Sequence, residues 1–245
     1  MNEFEKQMAE AKIYRRLPIY KKRLDFAIAG IRKMLECSPR VYVSLSFGKQ
    51  STCLAHMIFK IAPKTEMHFL ASDETWYMYD YEDVIDTFTN KWPVNLTIHQ
   101  TKNFFAAETW EKSRADGDMD LQKMCKRTDY DGWFWGLSKD ESPIREKTLS
   151  ASKFQKTPHQ TIFRYADGKY RCCPLMDWTN QDLAAYIFEN EIPVLNIYRK
   201  FGLQQRTTAR ITKKMLRNQG MALCRMTNSP GFRRLIDKFA DINIQ

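Results

Sequence analysis

The chain has 245 residues, of which 43% are hydrophobic and 28% are charged. This is the composition of a globular protein, which excludes a disordered, collagen-like or coiled-coil chain as the main state. Lysine and arginine number 39 against 29 aspartate and glutamate residues, so the formal net charge is +10. A basic balance of this size favours a phosphate-bearing partner such as a nucleotide, RNA, DNA or an acidic lipid surface.

In chain order, the residue pattern predicts strands and helices that alternate through the middle of the chain. Helices are predicted over residues 3–17, 19–36, 51–61, 79–90, 179–190, 207–218 and 231–239. Strands are predicted over residues 41–46, 66–71, 94–98 and 132–137, followed by a hairpin of residues 160–165 and 169–173. Such alternation predicts an α/β fold with an open, mostly parallel sheet and helices on both faces.

The basic residues are concentrated at the two ends of the chain. Residues 1–40 carry 10 basic and 5 acidic side chains, residues 41–195 carry 18 and 22, and residues 196–245 carry 11 and 2. We therefore expect an N-terminal helical segment (1–40), an α/β domain (41–195) and a basic helical C-terminal extension (196–245). The cations of the two ends are either solvated helix faces or contacts to a nucleic acid.

Membrane and secretion signals are not found in the sequence. The longest apolar stretch near the N-terminus is far shorter than the ~20 residues that a membrane span needs, and no signal-peptide pattern follows Met1. The six cysteines form no C-x-x-C pair, and adjacent Cys172 and Cys173 suit neither a zinc nor an iron–sulfur site. We expect a cytoplasmic protein with reduced cysteines and no membrane partner.

The strongest local motif is the run Ser-Leu-Ser-Phe-Gly-Lys-Gln-Ser from Ser44 to Ser51, between a predicted strand and a predicted helix. It combines serine hydroxyls, backbone amides around Gly48, the cation of Lys49 and the positive end of a helix, which together suit a phosphate. It is not the G-x-x-x-x-G-K-[ST] loop, because the first glycine is missing. Spacing alone leaves two interpretations open: a phosphate site or an ordinary strand–helix turn.

Asp73 follows the second predicted strand, at the edge of the sheet where ligands bind in open parallel sheets. Its carboxylate suits a metal ion or a ribose hydroxyl, and equally a helix cap or a turn. Two more polar segments follow later strands, one ending at Arg145 and one from Cys173 to Asp182.

Together these motifs resemble the phosphoadenosine phosphosulfate (PAPS) reductase family of the adenine-nucleotide alpha hydrolases, which share a modified P-loop, the PP-loop, with ATP pyrophosphatases. Ser46-Phe47-Gly48 and Gln50 are similar to the reductase loop, whereas Lys49 and Ser51 keep the pyrophosphatase form. The family's later motifs are echoed by Asp73-Glu-Thr-Trp76, by Gly136-Leu-Ser-Lys-Asp-Glu-Ser142 with Arg145, and by Pro174-Leu-Met-Asp-Trp178. The resemblance covers about residues 41–210.

This resemblance implies a bound adenine nucleotide, ATP or PAPS, accompanied by Mg²⁺. It implies catalytic roles for Lys49, Ser51, Asp73 and Arg145, with Asp73 also the candidate Mg²⁺ ligand. The nucleotide-binding residues that it implies are Ser44, Ser46, Phe47, Gly48, Gln50, Gly136, Glu141 and Asp177. Arg206 and Arg210 are candidate contacts to a phosphate or an acceptor, since a guanidinium group binds phosphate bidentately.

The chain departs from the thiol-dependent reductases of this family in one respect. It contains no Glu-Cys-Gly-Leu-His segment, whose cysteine attacks the sulfonate sulfur, and no paired cysteines of the kind that hold an iron–sulfur cluster in related enzymes. The nearest candidate is Cys224, where Arg225 could lower the thiol pKa. Cys224 is either such a nucleophile or a buried structural cysteine.

Three functions remain open at this point. The first is cleavage of ATP at the α-phosphate to adenylate an acceptor, in sulfur or nucleic-acid modification chemistry, with a base of tRNA or DNA as a candidate acceptor. The second is a PAPS or adenylyl-sulfate reductase, or a sulfotransferase-like enzyme. The third is a nucleotide-dependent nucleic-acid-binding or regulatory module without turnover. The oligomeric state is not predicted.

Overall fold

The structure, a computed structural model, describes residues 1–71, 73–100, 130–150, 159–207, 214 and 220–238, without the side chains of Asp73, Glu74 and Lys238. Within these ranges the strands are β1 (Val41–Leu45), β2 (Glu66–Ala71), β3 (Asn95–Gln100), β4 (Gly132–Trp135), β5 (Ile162–Arg164) and β6 (Tyr170–Cys172).

These strands form a six-stranded sheet in the order β3-β2-β1-β4-β6-β5. The first four pairings are parallel, and β5 pairs with β6 in the antiparallel direction as the predicted hairpin. The predicted fold class, an open and mostly parallel sheet, is confirmed. Because β1 lies between β2 and β4, the chain leaves β1 where the order of the strands reverses, which is the position that binds ligands in open α/β sheets.

Helices account for most of the remaining described chain. They are α1 (Glu3–Tyr14), α2 (Pro18–Cys37), α3 (Lys49–Ile61), α4 (Asp73–Met78), α5 (Tyr81–Lys91), α6 (Pro143–Leu149), α7 (Asn180–Asn190), α8 (Asn196–Phe201), α9 (Met221–Thr227) and α10 (Ser229–Lys238), with a 3-10 turn at Lys139–Glu141. No helix of the described ranges is both long and apolar enough to cross a bilayer.

Two predicted boundaries were wrong at the ligand edge of the sheet. Helix α3 begins at Lys49 rather than Ser51, so Lys49 and Gln50 form its first turn instead of a loop. Strand β4 ends at Trp135, two residues earlier than predicted, because Gly136 approaches the start of α3. Four short helices, α4, α6, α8 and α9, were not predicted. The predicted helix 207–218 lies outside the described residues except for Thr207 and Lys214.

The sheet buries its two faces in different ways. Val43 and Leu45 of β1 belong to the main core with α2, α3 and α7, whereas Tyr42 points to the other face and packs with Trp133. On that second face, Leu149 of α6 packs with Trp135 and Phe163 among others. Helices therefore cover both faces, as predicted.

Both ends of the chain join the main core. Ala11 of α1, Tyr198 of α8 and Leu235 of α10 are buried in the same cluster as the central strands. The packing is therefore continuous across both boundaries of the predicted segments 1–40, 41–195 and 196–245. Their division stays a prediction about the organisation of the sequence.

Candidate nucleotide-binding site

The turn between β1 and α3 depends on the backbone of Phe47. Its φ of 48° is positive, which is uncommon for a residue other than glycine. The Phe47 ring is buried, with centroids 5.3 Å from Phe69 and 6.0 Å from Phe88. This packing fixes the turn and directs the aromatic ring into the core. Only the backbone of Phe47 faces the turn, so the predicted contact of Phe47 with a nucleotide can involve its backbone but not its ring.

The serine hydroxyls of the turn are held in a small hydrogen-bond network. The Ser46 amide donates to Ser51 Oγ at 3.3 Å, and the hydroxyl oxygens of these two serines are 3.0 Å apart. The hydroxyls of Ser51 and Thr52 both donate to the carbonyl oxygen of Gly48, at 3.1 and 2.9 Å. The network orders the turn before any ligand arrives. Thr52, which was not predicted, therefore supports the site.

Ser44 lies one step earlier, on the strand itself. It pairs with His68 of β2 and Trp135 of β4 and is half-buried. It therefore belongs to the face of the sheet opposite Leu45. Its predicted contact with a nucleotide stays a prediction.

The first turn of α3 presents the positive end of a helix 13 residues long. Gly48 is its N-cap, and the first intrahelical bond runs from Thr52 N–H to the Gly48 carbonyl at 3.0 Å. The amides of Lys49, Gln50 and Ser51 therefore precede the intrahelical bonds. The Lys49 amide donates to the Tyr198 hydroxyl, while the Gln50 and Ser51 amides and the helix dipole together favour an anion at this point.

Lys49 is the cation of the site, and it is almost completely buried, with 4% of its surface exposed. Its ammonium group donates to the carbonyl oxygen of Gln205 at 3.0 Å and lies 5.4 Å from the centre of the Tyr198 ring. Burial lowers the pKa of Lys49 to about 8, the charge of Glu141 opposes this change, and Arg206 adds to it. An anion bound at the turn would favour the charged form.

Gly136 brings the second family motif against this helix. A Cβ atom on Gly136 would lie 2.6 Å from Ser51 Cα and 2.7 Å from Ser51 N. Such distances are closer than real Cβ contacts, and the neighbouring atoms belong to the backbone. A glycine is therefore required by the close approach of the end of β4 to α3, and the predicted contact of Gly136 with a nucleotide stays a prediction.

The later motifs lie against each other beyond Gly136. The Lys139 amide donates to the Met176 carbonyl at 2.9 Å, and Lys139 Nζ is 2.6 Å from Asp177 Oδ1. The Ser138 amide donates to Glu141 Oε2 at 3.1 Å. Asp177 and Glu141 thus have structural partners. The influence of the Glu141 carboxylate on the Lys49 pKa places it near the turn.

The structure describes Arg145 and Arg206 in full, Asp73 without its side chain, and Arg210 not at all. Arg206 is exposed and its charge acts on Lys49, so it lies near the turn. Arg145 is in the first turn of α6. Burial raises the pKa of Cys173 to about 11, and the charge of Arg145 acts in the opposite direction. Asp73 begins α4 directly beyond β2, and its side chain is outside the described atoms. Arg210 lies outside the described residues.

Three side chains or carbonyls at the turn were missed by sequence reasoning: Tyr198, Gln205 and Thr207. Tyr198 accepts the Lys49 amide at 3.4 Å and shares a hydrogen bond of 2.9 Å with Thr207 Oγ1. All three residues follow the apolar segment Ile-Pro-Val-Leu-Asn-Ile of residues 192–197. This segment is the one feature of the sequence that could have indicated that the chain returns to the core here. The spacing of about 150 residues from Lys49 gave no indication of the contact.

The described cysteines are not placed for nucleophilic attack. Cys224 is buried, its thiol donates to the Tyr77 carbonyl at 3.2 Å, and burial raises its pKa to about 12. Cys53, Cys172 and Cys173 are buried as well, and Cys37 ends α2 at the opposite edge of the sheet. Of the two interpretations of Cys224, the geometry favours the structural one. Cys125 lies outside the described residues.

The donor groups of the described residues do not suit a metal ion. The described ranges hold no group of three or more His, Cys, Asp or Glu side chains that could hold a metal ion. The turn itself offers hydroxyls, amides and an ammonium group, which suit an anion and do not suit Mg²⁺. The described residues therefore do not form a magnesium site, and a role for Asp73 stays a prediction.

Comparisons with known proteins identify the family of the chain. The phosphoadenosine phosphosulfate reductase domain profile matches residues 40–233. The chain therefore belongs to the phosphoadenosine phosphosulfate reductase family, a family of enzymes. The resemblance predicted from four ordered motifs is confirmed.

Individual relatives are distant in sequence. The chain is 22% identical over 173 residues to an adenosine 5′-phosphosulfate reductase of Halalkalibacterium halodurans, covering 66% of this chain and 69% of the relative. It is 23% identical over 169 residues to a phosphoadenosine 5′-phosphosulfate reductase of Xylella fastidiosa, covering 62% of this chain and 64% of the relative. The chain thus spans about two thirds of the length of these two relatives.

Among solved structures, the phosphoadenylyl-sulfate reductase of Candida auris, in a phosphate complex, matches with a TM-score of 0.46 at 16% identity. That match covers 69% of this chain and 81% of the other.

Proposed function

We propose that the chain binds ATP at the turn between β1 and α3 and transfers its adenylyl group to an acceptor, with release of pyrophosphate. The observation that carries this proposal is Lys49, a buried cation beside the amides that begin α3. A site of this kind binds phosphate oxygens and stabilises the negative charge that develops on them. The protein would then be a transferase.

In this reaction an oxygen atom of the acceptor attacks the α-phosphorus. A bond forms between that oxygen and phosphorus, the bond from phosphorus to the bridging oxygen breaks, and pyrophosphate leaves with the electron pair. Lys49 and the first-turn amides would neutralise the phosphate oxygens, while Ser46 and Ser51 keep the turn in place. No thiol and no electron transfer is needed.

The described cysteines support adenylyl transfer over sulfonate reduction. Reduction by a cysteine of this chain requires a thiolate near the nucleotide. Cys224 donates its proton to Tyr77, and burial raises its pKa to about 12, so the thiolate is disfavoured at neutral pH. The described cysteines therefore favour adenylyl transfer.

The second candidate is an adenosine 5′-phosphosulfate or PAPS reductase. It is favoured by the names of the two relatives described above. In this case ATP is replaced by a sulfonucleotide in the same turn, and the thiol comes from a partner protein or from a cysteine outside the described residues.

The proposal includes a base of tRNA or DNA as a candidate acceptor, and Mg²⁺ bound together with the nucleotide. Exposed arginines of α10, Arg233 and Arg234, supply cations of the kind that contact a tRNA or DNA backbone. Mg²⁺ would be held mainly by the phosphate oxygens of the nucleotide.

Two parallel assays test the proposal with the whole chain. In the first, the protein is incubated with ATP and Mg²⁺ in the presence of tRNA, DNA or neither, and AMP and pyrophosphate are quantified. In the second, it is incubated with PAPS or adenosine 5′-phosphosulfate and reduced thioredoxin, and sulfite is quantified. Pyrophosphate without sulfite supports adenylyl transfer, and sulfite without pyrophosphate supports the reductase. If neither product forms while a nucleotide copurifies or binds, the chain is a binding module.

A further inference from the structure

The contacts of Tyr198 and Thr207 with the turn extend the site beyond the family motifs. Tyr198, of helix α8, is buried, and Thr207, nine residues later, is half-buried. Their hydroxyl oxygens are 2.9 Å apart. The two side chains are called the hydroxyl pair below.

The hydroxyl pair lies at the point where the turn becomes a helix. A Cβ atom on Gly48 would lie 3.2 Å from Thr207 Oγ1 and 3.5 Å from the Tyr198 hydroxyl oxygen. The amide of Lys49 donates to the same Tyr198 oxygen at 3.4 Å. The pair therefore faces Gly48, which caps α3, and Lys49, which carries the cation of the site.

The segment between the two hydroxyls is held from both sides. Gly202 has a φ of 88°, which turns the chain at the end of α8. Leu203 is buried, and its amide donates to Gln7 Oε1 of α1 at 2.8 Å. Two residues later the Gln205 carbonyl accepts the Lys49 ammonium at 3.0 Å. Because of these anchors, Thr207 is presented to the turn in a fixed position.

The hydrogen-bond roles at the pair allow the Thr207 proton to reach a ligand. The Tyr198 oxygen accepts the Lys49 amide, and its own proton can be donated to Thr207 Oγ1. The Thr207 hydroxyl also interacts with the hydroxyl of buried Tyr81, so an acceptor at the turn competes with Tyr81 for the Thr207 proton. A phosphate or sulfate oxygen is such an acceptor, and a hydrogen bond to an ion is stronger than one between neutral groups.

We propose that the hydroxyl pair is a second wall of the phosphate site, in which Thr207 donates to an oxygen of the nucleotide's phosphate chain and Tyr198 positions Thr207 and the Lys49 amide. Thr207 is then a binding residue and Tyr198 a positioning residue. This inference rests on the proposed nucleotide site, and it applies equally to ATP and to a sulfonucleotide.

Binding of ATP and of adenosine 5′-phosphosulfate to Thr207→Val, Thr207→Ser and Tyr198→Phe tests the inference, by calorimetry on the full chain. Valine keeps the shape of threonine without the hydroxyl, and serine keeps the hydroxyl. We expect Thr207→Val to weaken binding about 10- to 100-fold and Thr207→Ser to bind within about threefold of the original chain. Tyr198→Phe should weaken binding about 2- to 10-fold, since it removes only a neutral hydrogen bond.

Two matched variants control for general effects. Thr65→Val changes a threonine at the opposite edge of the sheet, and Tyr14→Phe removes a tyrosine hydroxyl that is bonded to Asp182 rather than to the turn. Both should bind nucleotide as the original chain does. Unfolding in urea identifies any variant that has lost its fold. If Thr207→Val has lost its fold, Tyr198→Phe carries the test, and unchanged binding in Tyr198→Phe then overturns the inference.

The outcomes separate this inference from the proposed function. If the original chain binds neither nucleotide, the proposed function fails. If it binds them and Thr207→Val binds equally well, only the hydroxyl pair is overturned. Equal losses in Thr207→Val and Thr207→Ser overturn it too, because the hydroxyl is then not the group that matters. A loss in Thr207→Val but not in Thr207→Ser, with a smaller loss in Tyr198→Phe and both controls unchanged, supports it.

Discussion

The ammonium nitrogen of Lys49 lies 3.0 Å from the carbonyl oxygen of Gln205, a residue 156 positions further along the chain. A carbonyl is a neutral partner, so it satisfies a donor without neutralising the charge. Burial consequently holds the pKa of Lys49 at about 8. A phosphate that replaces this partner would supply the missing negative charge.

The first prediction concerns Lys49→Ala. Loss of the cation should reduce product release from the nucleotide by about 100- to 1,000-fold, the usual cost of removing one group that stabilises developing charge. The circular dichroism spectrum should not change, because the variant removes a buried charge with a weak partner. Pyrophosphate or sulfite release checks the result, with exposed Lys64→Ala as the control. Turnover at the original level would contradict the role given to the turn.

The second prediction is a dependence of nucleotide affinity on pH. The pKa of Lys49 is lowered from its usual 10.5 to about 8, so the side chain loses its charge as the pH rises through 8. An anion binds the charged form, and affinity should therefore be constant below pH 7 and fall by up to about tenfold per pH unit above pH 8. Calorimetry from pH 6 to 9.5 measures this dependence.

The Lys49→Ala variant is the control for this dependence. It should bind weakly, without a break near pH 8. An unaltered break in this variant would assign the titration to another group.

The third prediction concerns Gly136→Ala. Its Cβ would lie 2.6 Å from Ser51 Cα, and backbone atoms must shift to make room. We expect a loss of about 1–3 kcal/mol in the free energy of unfolding, as for other overpacked sites, and weaker nucleotide binding, because the shift moves the start of α3. Urea unfolding and calorimetry measure the two effects.

Gly168→Ala is the matched variant for Gly136→Ala. Gly168 has a φ of 85° in the hairpin turn, and the nearest atom to its Cβ would be Arg164 Nη2 at 4.0 Å, an ordinary van der Waals contact. Strain should lower the stability by about 1–2 kcal/mol, while nucleotide affinity stays unchanged. If both glycine variants bind nucleotide equally well, the close contact of Gly136 does not shape the site.

The fourth prediction concerns Cys224. Because burial raises its pKa to about 12, the thiol is protonated at neutral pH and should react with iodoacetamide more slowly than half-buried Cys37 in the folded protein. Cys224→Ala should keep its turnover and lose about 1 kcal/mol of stability. Mass spectrometry of the labelled peptides and the product assays measure both. A covalent adduct on Cys224 after incubation with PAPS would contradict this prediction.

The fifth prediction concerns the basic surface of α10. If tRNA or DNA is the acceptor, binding should weaken steeply with salt, and Arg233→Glu with Arg234→Glu should reduce the slope of log affinity against log salt by about two. Fluorescence anisotropy at several salt concentrations measures the slope. Lys64→Glu, at the opposite edge of the sheet, is the control. Undetectable or salt-independent binding would count against a nucleic-acid partner.

Much of the fold was predictable because its signals are local. Strand β2 was predicted at its observed bounds, and the alternation of strands and helices predicted a parallel sheet. The Asp-Gly turn predicted the hairpin of β5 and β6, and the order of the four motifs predicted the family. Each of these depends on residues close together in the chain or on a known pattern of such residues.

The start of α3 could not be predicted from the sequence, because it depends on tertiary packing. Phe47 adopts a positive φ while its ring packs against Phe69 and Phe88, which belong to other elements. With the chain turned in this way, the helix begins at Lys49 rather than Ser51. Helix propensity alone contains no information about such a contact.

The sequence by itself determined the fold class and the family, and it predicted a phosphate site in the segment from Ser44 to Ser51. Only the tertiary structure decided that Lys49 is buried and held by Gln205, that Cys224 donates its proton to a carbonyl, and that Tyr198 and Thr207 face Gly48. The physical reason is that burial and partners set the pKa and the orientation of a side chain. Those partners come from segments about 150 residues away, whose positions follow only from the packing of the whole core.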